Sequence, residues 1–244
     1  MRCHQCGADV RAHHTLIRDD IPPVRDGSRI VHPGCAACGT EIAEDTIAGG
    51  ISGARRVVVI SGPVGAGKST IGRYLEEHYG LVFIDGDAVS KRENHLARLD
   101  PARERRDYYA ETLRTAMVTL GLGYDVVVGY VFEAGHLRAY RERLAAYGIE
   151  PLLRVLLPSR DVCLQRDIER PCWTAGAGFV DRWYAQQQAL CEREPGLRVD
   201  NSAETVEETV ARHFGPYLRE RDRPPAGGQR ASGRVARERS SWLV

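Results

Sequence analysis

The chain has 244 residues, 43% hydrophobic and 27% charged, and its 34 basic and 33 acidic side chains leave a formal net charge of +1. That composition suits one sizeable globular core with an appendage, and the near-balance of charge selects neither for nor against a polyanionic partner. No run of 18 apolar residues and no signal-peptide core is present, so the expectation is a soluble, cytoplasmic protein without a membrane partner.

Residues 1–42 are rich in Cys, His and turn formers and show no sustained helix or strand period. Four of the seven cysteines form two C-x-x-C pairs here, Cys3 with Cys6 and Cys35 with Cys38. Two such knuckles supply the four thiolates of a structural zinc site, and an intracellular chain uses such pairs for metal more often than for disulfides. So short a segment has little core of its own, which makes metal a requirement for folding it. The expectation is a zinc-ribbon-like module holding one Zn²⁺, with His32 as an alternative to one thiolate. His13 and His14 read as ordinary loop residues. Residues 43–54 (AEDTIAGGISGA) read as a flexible linker.

From Arg55 the texture changes to alternating short apolar runs and helical patterns. Val57–Ile60, Leu81–Ile84, Asp125–Val128, Pro151–Leu157 and Leu197–Val199 read as strands. Helices are predicted from Lys68 to about Tyr79, over Arg103–Leu120, over Glu133–Tyr147, from about Asp161, and from near Ser202. The second of these is polar, with one stripe at Tyr109, Leu113, Met117 and Leu120. Gly148 follows the third as a helix stop. This alternation predicts an α/β fold with a parallel five-stranded sheet and helices on both faces over residues 55–216. Residues 217–244 carry seven arginines against three acids and read as a disordered tail.

Gly62-Pro63-Val64-Gly65-Ala66-Gly67-Lys68-Ser69, followed by Thr70, matches the G-x-x-x-x-G-K-[ST] pattern between a β-branched strand and a helix. Glycines there let backbone N–H groups turn inward around phosphate oxygens, and the following helix aims its positive end at the same anion. Lys68 should reach the β- and γ-phosphates of a nucleoside triphosphate, and the Ser69 hydroxyl should ligate Mg²⁺. Only two of the 34 basic residues are lysines, Lys68 and Lys91, so a lysine at 68 stands out against an arginine background. The chain lacks N-K-x-D for guanine, which favours ATP over GTP, and the strand ending at Val128 runs into Gly129-Tyr130 without an acidic residue. The acidic candidates instead follow the second strand, in Phe83-Ile84-Asp85-Gly86-Asp87. Two carboxylates on one loop at the carboxyl end of a parallel strand can face one cleft, one toward Mg²⁺ and one toward an attacking hydroxyl.

SGPVGAGKST, FIDGD, the helix beginning SRDVCLQRDIER and the closing VDNSAETVEETV together resemble the small P-loop kinases: the gluconate kinase, shikimate kinase and chloramphenicol phosphotransferase-like group. The resemblance spans residues 55–215. It implies that Asp85 works near Mg²⁺, that Asp87 holds or deprotonates the acceptor hydroxyl, and that Arg166 and Arg170 act from a lid. Ion pairing with Asp167 or Glu169 on an exposed helix face is the other reading of those arginines. The stretch from Pro171 to Gly178 is flexible enough for a lid but lacks the substrate-sensing residues associated with gluconate kinases, and Gln186–Gln188 with Pro195 echo that family only in broken spacing. The resemblance thus implies transfer of the ATP γ-phosphoryl group to a hydroxyl of a small molecule, with the acceptor open. The alternative is a nucleic-acid-associated ATPase or polynucleotide-end kinase that holds its polymer with the zinc ribbon and basic tail, and a nucleotide-gated binding module is a third possibility.

Overall fold

In the computed structural model, residues 1–11, 14–19, 30–47, 50–51, 55–99, 107–170 and 174–221 are described. His13, residues 48–49 and 52–54 of the expected linker, residues 103–106 of the expected long helix, Pro171-Cys172-Trp173 of the expected lid, and 222–244 of the tail lie outside them. Residues 217–221 of the expected disordered tail are instead helical, and Leu218 is fully buried.

The β-branched run Val57–Ser61 (β3) is fully buried because it sits in the middle of the sheet and packs on both sides. Val57 and Val59 join Ile84, Val126, Val128, Leu153 and Val155 in one core layer, while Val58 and Ile60 join Phe83, Val127 and Leu156 in the other. Around β3 run Val82–Asp85 (β4), Val126–Gly129 (β5), Leu152–Leu156 (β6) and Arg198–Val199 (β7), all parallel, in the order β4-β5-β3-β6-β7. The expected five-stranded α/β sheet is therefore the one observed. One face is covered by Tyr108–Gly121 (α4), Ala134–Ala145 (α5) and Ala177–Arg193 (α7). The other is covered by Lys68–Tyr79 (α2), Val206–His213 (α8) and Gly215–Arg221 (α9). Gly86–Leu99 (α3) follows β4, and Arg160–Glu169 (α6) follows β6.

The structure corrects several sequence expectations. Residues 86–99 and 177–193, which showed no helix signal in the sequence, form α3 and α7. The Cys-rich segment, which shows no sustained strand period in the sequence, pairs His14–Asp19 (β1) with Ile30–Cys35 (β2) antiparallel. His14 is not an ordinary loop residue: its Nδ1 lies 2.7 Å from the Val10 carbonyl and its Nε2 lies 2.9 Å from the Tyr124 hydroxyl.

The stretch expected to be a flexible linker contains the short helix Glu44–Ile47 (α1), and Ile47 is fully buried. The reason is a third core. Cys3, Val10, Cys35, Ile42 and Ile47 pack on Val118 and Leu122 of the second half of α4 and the turn after it. The helix expected to be polar with a single apolar stripe is thus buried from two sides, by the sheet through Met117 and Leu120 and by the Cys-rich segment through Val118. Asp107 starts it as a capping residue, accepting from the Tyr109 and Ala110 N–H groups at 2.9 Å.

Ile47→Ala should lower the unfolding free energy by about 2–4 kcal/mol, as expected for a large-to-small change at a sealed site. Urea unfolding measures it, and a loss below about 0.5 kcal/mol would return residues 43–54 to the status of a linker.

Candidate active site and metal centre

The loop from Gly62 to Gly67 leaves the carboxyl end of β3 and delivers the chain to the first turn of α2, with Gly67 as its N-cap. Gly65 sits at φ +77, and a Cβ there would lie 2.2 Å from the carbonyl oxygen of Cys163 in α6. No L side chain fits that contact, so the loop can hug α6 only as glycine. Lys68 Nζ donates to the carbonyls of Gly62 at 2.9 Å and Pro63 at 2.8 Å, which holds the ammonium over the loop. Burial pushes the Lys68 pKa down, and the carboxylates of Asp87 and Asp85 push it back up.

Asp85, the last residue of β4, is buried at 5% exposure. Its Oδ2 accepts from Ser69 Oγ at 3.4 Å and its Oδ1 accepts from the Asp87 N–H at 3.0 Å. One carboxylate therefore links the α2 start to the α3 start. Its second partner also corrects the sequence reading of a D-x-D loop: Gly86 and Asp87 are the first turn of a helix, and Asp87 is exposed there. A Cβ on Gly86 would meet the Tyr130 ring at 2.5 Å, so glycine is what lets that ring close against the helix start. Ser69 and Asp85 present paired oxygen ligands, the donor type that Mg²⁺ takes.

Arg166 and Arg170 lie on α6 and at its end. Arg166 Nη2 donates to the Asn201 carbonyl at 3.1 Å, and Asn201 Nδ2 donates to the Ala66 carbonyl of the loop at 3.1 Å. Arg170 pairs with the buried Asp167 at 2.6 Å, the ion pair named as the alternative reading. Asp167 also accepts from the Ala175 and Gly176 N–H groups at 3.2 and 3.0 Å, so this carboxylate pins the far end of the expected lid to α6.

Val64, Gly65, Gly67, Lys68, Ser69, Thr70, Asp85, Asp87, Arg166 and Arg170 all line one cleft of about 520 Å³ at the carboxyl end of the sheet. Every candidate residue of the P-loop kinase reading either lines it or, for Gly62, Pro63 and Ala66, supplies backbone to its floor. Sequence reasoning missed the rest of the wall: Arg73, Tyr109, Tyr130, Val131, Phe179 and Trp183. Tyr130 was within reach, since it directly follows the glycine ending β5; Phe179 and Trp183 were hidden with the helix that carries them. A network beneath the loop was also missed. The buried Ser61 Oγ donates to Gln187 Oε1 at 2.8 Å and accepts from the Phe132 N–H at 2.9 Å, while Gln187 Nε2 donates to the Phe132 carbonyl at 2.9 Å.

At the other end of the chain, the four Sγ atoms of Cys3, Cys6, Cys35 and Cys38 lie within 4.8 Å of one another. Cys3 is 3.8 Å from Cys38 and Cys6 is 3.6 Å from Cys35. A disulfide would need about 2.05 Å. A zinc tetrahedron with Zn–S bonds of about 2.3 Å has sulfur–sulfur edges of roughly 3.8 Å, so the donor set fits that ion. The Thr40 hydroxyl and backbone N–H push the Cys38 thiol down to about 6. At Cys6 the lowering by the Ala8 backbone is outweighed by the neighbouring thiols, Cys38 first, which push it up to about 12, so the donor geometry is what carries the zinc assignment. The His32 side chain lies outside the described residues.

No family model matches the chain. It is 33% identical over 119 residues to a shikimate kinase of Xanthomonas axonopodis pv. citri, a match covering 47% of this chain and 64% of that protein. With a shikimate kinase of Alteromonas mediterranea it shares 31% identity over 126 residues, covering 48% of this chain and 69% of the relative. The chain belongs to the shikimate kinase family. It matches just under two thirds of the length of the Xanthomonas relative. The crystal structure of a sugar kinase from Janibacter sp. HTCC2649, 20% identical, superposes with a TM-score of 0.50 over 67% of this chain and 98% of that one, which shows the common fold. Membership of this family agrees with the P-loop, the parallel sheet and the cleft as described. Among the described residues no helix is long and apolar enough to cross a membrane.

Purified protein prepared with zinc available should carry about one Zn²⁺ per chain by elemental analysis, and Cys3→Ser or Cys35→Ser should lose it. Less than half an equivalent in the unmodified chain would rule the site out.

Proposed function

We propose that the chain transfers the γ-phosphoryl group of ATP to a hydroxyl of a small molecule. The observation that carries this reading is the convergence of Lys68, Ser69, Asp85, Asp87, Arg166 and Arg170 on one cleft from four different elements. In this reading the loop N–H groups and Lys68 hold the β- and γ-phosphates, and the N-terminus of α2 adds its dipole. Ser69 and Asp85 would hold Mg²⁺, whose charge offsets that of the phosphate oxygens. Asp87, exposed to the cleft, takes the proton of the acceptor hydroxyl as its oxygen bonds to phosphorus and the ADP oxygen leaves. Arg166 and Arg170 add guanidinium donors for the charge on the transferred group, and the Asp167 anchor limits how far the segment after α6 travels. Catalysis then comes from positioning and electrostatics, with little covalent chemistry left to the protein.

The names of the relatives point to hydroxylated rings as first acceptors to try: shikimate and sugars. The wall of Tyr109, Tyr130, Phe179 and Trp183 supports an acceptor with a flat or apolar face that such side chains can cover. The cytoplasm, where ATP is available, is the compartment this reading implies.

The test is ADP release with pooled acceptors (shikimate, sugars and sugar acids, nucleosides, 5′-hydroxyl oligonucleotides), with Lys68→Ala as the blank. One small-molecule pool should stimulate turnover; stimulation by oligonucleotides alone would replace this reading with the polynucleotide kinase. With the active pool, Asp87→Asn should lower kcat by about 100-fold or more while ATP still binds, and a wild-type rate would remove Asp87 as the base.

A further inference from the structure

Between the Cys-rich segment and the helices that frame the acceptor side lies a cluster of five charged side chains. Glu41 comes from the Cys-rich segment, Arg92 and Glu93 from α3, and Glu111 and Arg114 from α4. Arg92, Glu93 and Glu111 are buried, the last two at 1% and 2% exposure. Arg92 reaches Glu41 and Glu93 at 3.5 Å each and Glu111 at 3.9 Å. Arg114 pairs with Glu41 and binds Glu111 through Nε at 2.9 Å and Nη2 at 2.6 Å. Burial works against the charge on Arg114, and the Glu111 and Glu41 carboxylates more than offset it. Among the described residues, Glu41 is thus the carboxylate that both arginines share across the boundary between the Cys-rich segment and the two helices.

The position of Glu41 is set by the metal knuckle. Cys38 is three residues before it, the Cys35 N–H donates to the Thr40 carbonyl at 2.9 Å, and the Gly39 N–H donates to the Cys35 carbonyl at 2.8 Å. Glu41 itself bridges to Gly34, the residue before Cys35. The knuckle loop is therefore clamped on both sides of the sulfur atoms, and its exit strand carries the carboxylate. On the far side of the cluster, α3 begins with Gly86 and Asp87 and α4 begins with Tyr108 and Tyr109, so the cluster bolts together the two helices whose N-terminal ends meet in the cleft.

We propose that the four-cysteine module positions the acceptor side of the cleft, with Glu41 as the positioning residue that fixes α3 and α4 through Arg92 and Arg114. Removing one carboxylate from such a cluster leaves the buried Arg92 and the half-buried Arg114 competing for Glu111 and Glu93, which loosens a packing that the pairing had fixed. Loss of the metal does the same from further away, by freeing the knuckle that holds Glu41. The P-loop helix α2 is packed on the opposite face of the sheet and holds none of the five charged residues. It meets the start of α3 through Asp85, at the end of α3 away from the cluster, so ATP binding should change much less than acceptor binding. The functional role of the positioned helix rests on Asp87 serving the acceptor; the mechanical claim does not.

Amide hydrogen exchange on the full chain tests it, comparing the zinc-loaded protein, the same protein after chelation, and zinc-loaded Glu41→Gln. Exchange in residues 88–98 and the first turns of α4 should speed up about tenfold or more in Glu41→Gln that still holds its metal, with α2 unchanged. Chelation of the unmodified chain should give the same local pattern, and it decides the matter if Glu41→Gln does not fold. Unchanged protection of α3, or an equal loss over α2 and α3, would overturn the proposal. With shikimate as acceptor probe, KM for shikimate should rise while KM for ATP stays within about twofold. If shikimate is not phosphorylated by the unmodified chain, that arm speaks to the acceptor alone, and the exchange pattern still decides the role of Glu41.

Discussion

A phosphate-binding loop works only if its backbone turns its N–H groups inward, and here that turn is wedged against α6 more closely than any side chain allows. Gly65 rests on the carbonyl of Cys163, so the loop and the helix carrying Arg166 and Arg170 form one unit. Asn201 closes the same unit from the segment after β7, bonding Ala66 while its own carbonyl accepts from Arg166. Beneath it, Ser61 and Gln187 fix the end of β3 to α7. The phosphate side of the cleft is therefore over-determined by contacts from three parts of the chain, as a preorganised site requires.

The acceptor side is built differently. β4 is an edge strand of the sheet, paired with β5 on one side and with no strand of that sheet on the other. The Cys-rich segment packs beside it. It shares an apolar core with α4 and a charged cluster with α3 and α4, and His14 reaches Tyr124 in the turn that follows α4. Apolar burial gives adhesion without much directionality, whereas the Glu41–Arg92–Arg114 arrangement specifies one register. A segment too short to hold a core alone thus completes its own core with the helix it supports.

How much of this the sequence showed depends on whether each residue type was locally forced. The strand–loop–helix unit from Val57 to Tyr79 was legible almost to the residue, because phosphate chemistry dictates glycine, lysine and serine at fixed spacing. The β-branched runs gave the central strands for the same local reason. α3 was missed because Gly86 and Asp87 look like a turn and Ser90-Lys91-Arg92-Glu93 has no apolar stripe; Ala88 and Val89 are buried, the latter against the core, and Arg92 and Glu93 are buried through ion pairs. α7 was missed because it opens with Ala177-Gly178 after a glycine-rich stretch. The linker reading of 43–54 failed at Ile47, which is buried by α4 from far along the chain. The Glu41–Arg92 pair spans 51 positions, and no local pattern announces such a contact. Family resemblance carried the roles of Asp85 and Asp87, and the geometry added that a single buried carboxylate ties their helix to Ser69.

The central claim is that the γ-phosphoryl group passes to an acceptor hydroxyl in the cleft between the P-loop and α3. A ³¹P NMR time course with ATP, Mg²⁺ and the acceptor pool that stimulates turnover measures this directly, because it identifies where the phosphorus goes. The account predicts a phosphomonoester resonance growing in step with ADP and little inorganic phosphate. ADP accompanied by inorganic phosphate alone would contradict it, leaving a nucleotide hydrolase in which the acceptor side of the cleft has another purpose.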